Sequence, residues 1–286
     1  MNEQLQKKVN FAIKLLQSAE KMAAQVGQPL EIAYSGGKDS DVILELARMA
    51  GVKYRAIYKN TTIDPPGTIK HAQERGVEVI RPKRTFAQVI EAAGIPSRSH
   101  RVCCAHLKEY KILDHAVIGV RRDESRKRKE RYKMPDECRV YNKKKDIRAH
   151  HYFPILTWTA EDVAAFLQER GVKAHPLYYD EHGNFHPERR LGCMCCPLMS
   201  KKKRIADFKT HPQMVRFYIK AAQRYVDKHP VSKMTKLFKG NVYDWFTSQI
   251  FCEGEREFRV RFGPSLFEPN GTDCKQFIEQ YFNIKL

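Results

Sequence analysis

The run Ser35-Gly36-Gly37-Lys38-Asp39-Ser40 constrains this chain more than any other stretch. Leu30-Glu31-Ile32-Ala33-Tyr34 precedes it, short, apolar and partly β-branched or aromatic, which predicts a buried strand. Asp41 to Ala50 follows with helical spacing, Val42, Leu46 and Met49 on one face, and Gly51 stops it. The run is therefore predicted to be a strand-to-helix turn. Gly36 and Gly37 open positive φ to the backbone and let a ligand approach closely. Amides of the turn and of the first helical turn then point at one spot, where the helix dipole is also positive. That arrangement makes a phosphate cradle, to which Lys38 adds a mobile charge and Ser35 and Ser40 add hydroxyl donors. The Walker A spacing, G-x-x-x-x-G-K-S/T, is absent. The alternative reading is a glycine turn that only joins strand to helix.

Further along, strand and helix patterns alternate. Residues 3 to 26 read as one helix with Leu5, Val9, Phe11, Ile13, Leu15 and Leu16 on a broad apolar side, ended by Gly27. Val52 to Tyr58 is a second strand, a helix of about ten residues runs to Gly76, and Val77 to Ile80 is a third strand. Phe86 to Ala93 is helical and Ala116 to Gly119 is a fourth strand. This alternation predicts an α/β fold, a doubly wound and mainly parallel sheet. In such a sheet ligands sit at the carboxyl ends of the strands. Asn60, Thr61 and Asp64, just beyond the second strand, are therefore candidates for nucleotide contact, although Asp64 before Pro65 also suits a helix start. After residue 200 the pattern becomes helical and aromatic, with helices expected at Arg216 to Lys228 and Phe277 to Phe282. Three regions result: an N-terminal helix (1–27), a nucleotide-binding domain (28–200) and a mainly helical region (201–286).

The net charge of the 286-residue chain is +19, from 52 basic and 33 acidic side chains, and favours polyanionic partners such as nucleotides, tRNA or DNA. The basic excess is densest over residues 121 to 148, where thirteen Lys or Arg stand against six Asp or Glu. That segment is expected to be a long charged connection outside the core, a lid or a nucleic-acid contact. Lys143, Lys144 and Lys145 fit a solvated face equally well. No run of eighteen apolar residues and no apolar leader is seen, so a cytoplasmic protein with no membrane partner is expected. Oligomeric state is open, a dimer included. Five of the eight cysteines fall in two groups, Cys103-Cys104 and Cys193-Met194-Cys195-Cys196, which suggests a metal site in a reducing compartment rather than a disulfide framework.

Four motifs carry a resemblance. Ser-Gly-Gly-Lys-Asp-Ser after a strand resembles the PP-loop of the ATP pyrophosphatases, which split ATP between its α and β phosphates. Cys103-Cys104-Ala105-His106-Leu107-Lys108, then Gly119, Arg121, Glu124, Ser125 and Arg128 in a G-x-R-x-x-E-S-x-x-R pattern, narrow it to the phosphoadenylyl-sulfate (PAPS) reductase branch. Pro154 to Val163 and His175-Pro176-Leu177-Tyr178 resemble that branch's remaining motifs, so the likeness covers roughly residues 28 to 200. It implies a Rossmann-like fold of the adenine nucleotide alpha hydrolase kind. ATP and Mg²⁺ would lie against the loop. Lys38, Asp39 and Arg121 would take the catalytic roles, and the arginines would face phosphate or sulfate with guanidinium forks. A vicinal pair plus C-x-x-C is unusual for Zn²⁺. It is similar to the ligand set of reductases carrying a 4Fe-4S cluster, which assigns Cys103, Cys104, Cys193 and Cys196, with Cys195 or Cys138 as substitutes and zinc as the rival metal.

The chain also departs from the reductases. They usually lack the Lys-Asp pair of the loop, which here is intact as Lys38-Asp39. Their mobile Glu-Cys-Gly-x-His tail is matched by neither Cys252 nor Cys274 nor the final Asn283-Ile284-Lys285-Leu286. The pattern is closer to sulfurtransferase members with an intact SGGKDS loop. The expected function is ATP-dependent sulfur transfer onto a nucleic acid, with a sulfur-donor protein as a further partner. The competing expectations are a sulfonucleotide reductase and a non-catalytic nucleotide- or nucleic-acid-binding module.

Overall fold

The computed structural model describes residues 2–110, 114–142, 147–266 and 269–286. Along the chain lie α1 (Glu3–Gln25), β1 (Leu30–Tyr34), α2 (Lys38–Ala50), β2 (Tyr54–Lys59), α3 (Thr68–Glu74), β3 (Glu78–Ile80), α4 (Phe86–Ala93) and α5 (Val102–Leu107). Then come β4 (His115–Ile118), α6 (Arg126–Arg131), β5 (Asp136–Asn142), β6 (Ile147–Tyr152) and α7 (Ala160–Glu169). The remainder is α8 (Lys201–Thr210), α9 (Pro212–Lys228), α10 (Lys233–Leu237), α11 (Val242–Phe251), α12 (Glu255–Phe262) and α13 (Cys274–Phe282). The chain divides into two compact units. One comprises Met1–Asn60, Asp64–Arg81 and Tyr110–Gly192, the other Thr61–Ile63, Pro82–Glu109 and Cys193–Leu286.

The first unit is the expected α/β sheet. Among the described residues its strand order is β3-β2-β1-β4-β6-β5. All pairs are parallel except β5 with β6. The order reverses between β1 and β4, the position at which an open α/β sheet leaves a crevice beyond its strand ends. The core is built from Leu30 and Ile32 of β1, Val42 and Leu46 of α2, and Val117 of β4. Helix α1 lies against α2, β1, β4 and β6. Its buried stripe is Leu5, Val9, Ala12, Leu16, Ala19 and Ala23, spaced at three and four residues as a helix requires. Phe11 is off that stripe and half exposed, correcting the broader apolar side expected for it. The alanines let the helix approach closely where larger residues would hold it away.

Residues 121 to 148 are not one external connection. They hold α6 and β5 and lead into β6, which pairs with β4 and buries Ala149 and His151. Charge hid this strand, because His and Arg alternate with the residues that face inward. Lys143, Lys144 and Lys145 lie outside the described residues. Helix α3 is shorter than expected because it starts only after Pro65-Pro66, with Gly67 in the left-handed region. None of the helices is long and apolar enough to cross a membrane, among the described residues.

The second unit is helical and aromatic. Phe86, Phe208, Tyr218, Trp245, Phe246 and Ile278 are fully or almost fully buried in one core. Phe208 meets Tyr218 and Phe246 edge-on, with ring centroids 5.2 and 5.4 Å apart. Helices α4 and α9 pack together there, as do α11 and α13.

Candidate functional site

In the first unit β1 ends at Tyr34 and α2 begins at Lys38, so only Ser35, Gly36 and Gly37 form the turn. Helix α2 starts three residues earlier than its apolar spacing implies. Lys38, Asp39 and Ser40 are therefore its first turn. Gly37 is the N-cap and supplies no side-chain cap bond, so the positive end of the helix is open to an outside anion. Gly36 has φ +77°, and a Cβ there would lie 2.7 Å from Thr68 Cγ2 and 3.2 Å from Leu191 Cδ2. A Cβ on Gly37 would stand 3.2 Å from the Tyr178 hydroxyl. Both glycines are thus required by close approach, the first also by conformation. Ser40 Oγ donates to the Gly37 carbonyl at 2.7 Å, and Ser35 Oγ donates to Ser40 Oγ at 3.3 Å. The two serines brace the turn as well as lining it.

Charges converge on this turn. Lys38 is buried, 3.3 Å from Asp39 Oδ2 and 5.3 Å over the Tyr178 ring. Burial lowers its pKa; Asp39 opposes the shift, while Arg121 and Arg190 add to it. Arg121, also buried, donates through Nε to Asp39 Oδ1 at 2.8 Å and reaches Asp123 at 3.3 Å. It follows β4 on the same edge of the sheet as the turn, with β1 and β4 parallel neighbours. Gly119 brings that connection close: a Cβ on it would lie 3.5 Å from Asp39 Cβ. Glu124 pairs with both Arg128 and Arg190, the latter at 3.0 Å. Burial lowers the pKa of Arg128, and the charge of Arg190 adds to this. Ser125 caps α6 by accepting from the Arg128 amide at 3.3 Å.

The structure therefore gathers Ser35, Gly36, Gly37, Lys38, Asp39, Ser40, Gly119, Arg121, Glu124 and Arg128 around one cradle, with Ser125 as a helix cap behind it. Asn60 donates its amide to the Ile80 carbonyl at 3.0 Å, and Asp64 accepts from the Tyr58 hydroxyl. Thr61 belongs to the other unit. Sequence reasoning missed Tyr178, Leu191 and Arg190, although Tyr178 stands in a quoted motif. It also missed Asp41, a buried carboxylate that accepts from Tyr34 at 2.5 Å and lies 3.0 Å from His71. A polar residue at a helix position that faces the core was the available signal for Asp41.

The second unit holds the cysteines. Cys103 and Cys104 lie in the first turn of α5, and Cys193 and Cys196 lie in the loop before α8; all four are half-buried and in no disulfide. The pKa of Cys103 is raised first by its hydrogen bond with Cys104, then by burial, and further by the charges of Cys104, Cys196 and Cys193; Cys103 and Cys193 also pack against the same core, so the four thiols share one neighbourhood. Cys104 is pushed down to about 5, first by the hydrogen bond from Cys103 and then by Arg101, against its own burial. Cys193 Sγ donates to Thr61 Oγ1 at 3.5 Å. Cys195 differs. It is fully buried in the core and its pKa is pushed up to about 12 by that burial. Its backbone, at φ +55°, is clamped at both ends. The amide donates to Asp207 at 2.9 Å and the carbonyl accepts from Arg204 at 3.0 Å. Cys138 is on β5 of the first unit. Among the described residues no three His, Cys, Asp or Glu side chains are grouped closely enough to hold a single metal ion.

An uncapped helix terminus at the switch point of a parallel sheet, flanked by Lys38 and Arg121, has the form of a PP-loop nucleotide-binding domain. Residues 29–199 match the phosphoadenosine phosphosulfate reductase domain, and the chain belongs to that family. Two uncharacterised proteins of Methanocaldococcus jannaschii are similar. MJ0066 is 25% identical over 221 residues, 72% of this chain and 44% of the relative. MJ0973 is 25% identical over 239 residues, 78% and 54%. A 37.8 kDa protein of Escherichia phage 186 is 29% identical over 150 residues, 46% and 41%. The chain spans about half the length of these relatives. Solved structures with a distant likeness include phosphoadenylyl-sulfate reductase of Candida auris, at TM-score 0.43 and 17% identity over 68% of this chain and 96% of that one. FMN adenylyltransferase of Candida glabrata has TM-score 0.42 and 16% identity over 61% and 58%.

Proposed function

We propose that this chain binds ATP at the Ser35–Ser40 turn, adenylates an acceptor with release of pyrophosphate, and couples that step to sulfur transfer, with tRNA or DNA as the acceptor. The observation that carries the reading is the intact Lys38-Asp39 pair at an uncapped helix terminus, with Lys38 buried and Asp39 bonded to the buried Arg121. An acceptor oxygen attacks the α phosphorus and the bond to the pyrophosphate oxygen breaks. Lys38, Arg121 and the leading amides of α2 stabilise the charge that develops on the transferring and leaving oxygens, without having to reorganise. Asp39 is the acidic group of the turn and the residue that would hold Mg²⁺. The +19 charge supports a polyanionic acceptor.

Cys103, Cys104, Cys193 and Cys196 would hold a 4Fe-4S cluster. Four thiols outside any disulfide and in one neighbourhood suit it, since each thiolate binds a different iron and the four need not converge. A single Zn²⁺ requires four sulfurs at ~2.3 Å from one point. When bound, such a cluster supplies a site for labile sulfur.

The deciding measurement is pyrophosphate release from ATP with Mg²⁺, alone and with added tRNA or DNA. Release is expected, stimulated by the nucleic acid, and Lys38→Ala should lower it by at least ~100-fold, as loss of a buried transition-state cation does. Orthophosphate release instead would refute adenylation, and no stimulation by any nucleic acid would remove the proposed acceptor class. A sulfonucleotide reductase would instead consume PAPS or adenylyl sulfate and show no need for Lys38.

A further inference from the structure

We propose that Arg190 is a ligand for the phosphates of the nucleotide, parked on Glu124 until the nucleotide arrives. The inference rests on the nucleotide reading above and adds a residue that none of the recognised motifs contains.

Four cations surround the cradle, and they fall into two kinds. Lys38 and Arg121 are buried and share Asp39, so their positions are set by packing before any ligand binds. Arg128 and Arg190 share Glu124. The Arg190 side chain is 52% exposed, against 37% for Arg128 and 10% for Glu124. Arg190 is therefore the most exposed of these four side chains. Its place at the mouth of the cradle is fixed by its neighbour. Leu191 packs where a Cβ on Gly36 would be, and the Leu191 amide donates to the Tyr178 hydroxyl at 3.2 Å. That hydroxyl in turn stands against Gly37. Arg190 thus leaves the backbone directly beside the phosphate-binding glycines, and its charge is felt by Lys38.

The exchange of partners is chemically balanced. Arg190 donates to Glu124 through Nη2 alone, to the carboxylate at 3.0 Å and the carbonyl at 3.3 Å. The Arg190 half of the pair is more than half exposed, so water competes for its single-nitrogen contact. When Arg190 leaves, Glu124 keeps Arg128 and no buried charge is stranded. A polyphosphate offers the guanidinium two oxygens at once, a charge-assisted fork that Glu124 does not use here. Glu124 serves as a place-holder for phosphate.

The test is calorimetric titration of the full chain with Mg²⁺-ATP and, separately, with inorganic pyrophosphate. Arg190→Ala is expected to weaken both roughly tenfold, the worth of one charge-assisted contact. The ligand-free melting temperature should change little, since Glu124 keeps its pair with Arg128. Arg190→Lys, which keeps the charge without the fork, should recover part of the loss. Wild-type affinity in Arg190→Ala overturns the inference, as does a loss that tracks a fall in melting temperature and is not recovered by lysine. If Lys38→Ala abolishes ATP binding while Arg190→Ala does not, this inference fails and the nucleotide reading stands. If the unaltered chain binds neither ligand, the nucleotide reading itself fails.

Discussion

At the scale of single residues, Gly36 is where conformation and packing act together. Its φ of +77° is strained for any side chain, and a methyl would overlap Thr68 Cγ2 at 2.7 Å. Gly183 has φ +81° with nothing within 4 Å of its would-be Cβ, so it isolates the conformational part. Gly183→Ala is expected to cost about 1 kcal/mol, and Gly36→Ala about 2–4 kcal/mol with loss of ATP binding. Thr68→Ser, by removing the opposing methyl, should recover some of the stability of Gly36→Ala but not all of it. Thermal melts check this; equal losses at the two glycines would show that packing at the cradle adds nothing. The glycine turn between β1 and α2, with Lys38 and Asp39 after it, was legible because a strand-to-helix turn is local in sequence. Tyr178, Leu191 and Arg190 were not, because their contacts exist only once the chain after α7 returns to β1.

At the scale of elements, β6 shows how charge can mask a strand. His150 and His151 follow Arg148 and Ala149, a pattern with no long apolar run, yet β6 lies between β4 and β5 in the sheet. His151 is buried there, and its pKa is pushed down to about 4, by burial first and by the charge of Arg139 second. An unfolded histidine titrates near 6.5, so between about pH 4 and 6.5 the unfolded chain binds the extra proton. Stability from the neutral ring is therefore complete above pH 6.5 and is lost as pH falls toward 4. At pH 5 the loss is on the order of 2 kcal/mol, or about 4–8 °C in melting temperature. His151→Leu should flatten the difference between melts at pH 7 and pH 5. An unchanged slope in that variant would remove His151 from the account. Helix α2 carries a different lesson. Its apolar face starts at Val42, but its first turn is the polar Lys38-Asp39-Ser40, so periodicity located the helix and misplaced its start.

At the scale of the whole molecule, the cysteine pairs lie about ninety residues apart in sequence yet in one compact unit, which also contains Thr61–Ile63. Serine at Cys103, Cys104, Cys193 or Cys196 should lower the iron content of anaerobically prepared protein and its melting temperature together. Cys252→Ser should leave iron unchanged but cost about 1–2 kcal/mol, because that thiol is buried in the aromatic core. Iron assay and melting in parallel separate the two effects; one zinc and no iron in anaerobic protein would replace the cluster with a Zn²⁺ site. The sequence by itself determined the alternating strands and helices, the cradle between β1 and α2, the arginine-bearing segment after β4 and the grouping of thiols. Each of these is a short-range pattern of residue type and period, and such patterns survive in one dimension. Tertiary structure alone decided that Thr61–Ile63 and Pro82–Glu109 join the C-terminal helices rather than the sheet. It also decided that α1 covers the sheet with an alanine-spaced stripe and that Arg190 pairs with Glu124 while Leu191 packs against Gly36. Those outcomes follow from which surfaces bury one another, and burial is a property of the folded chain, not of any segment of it.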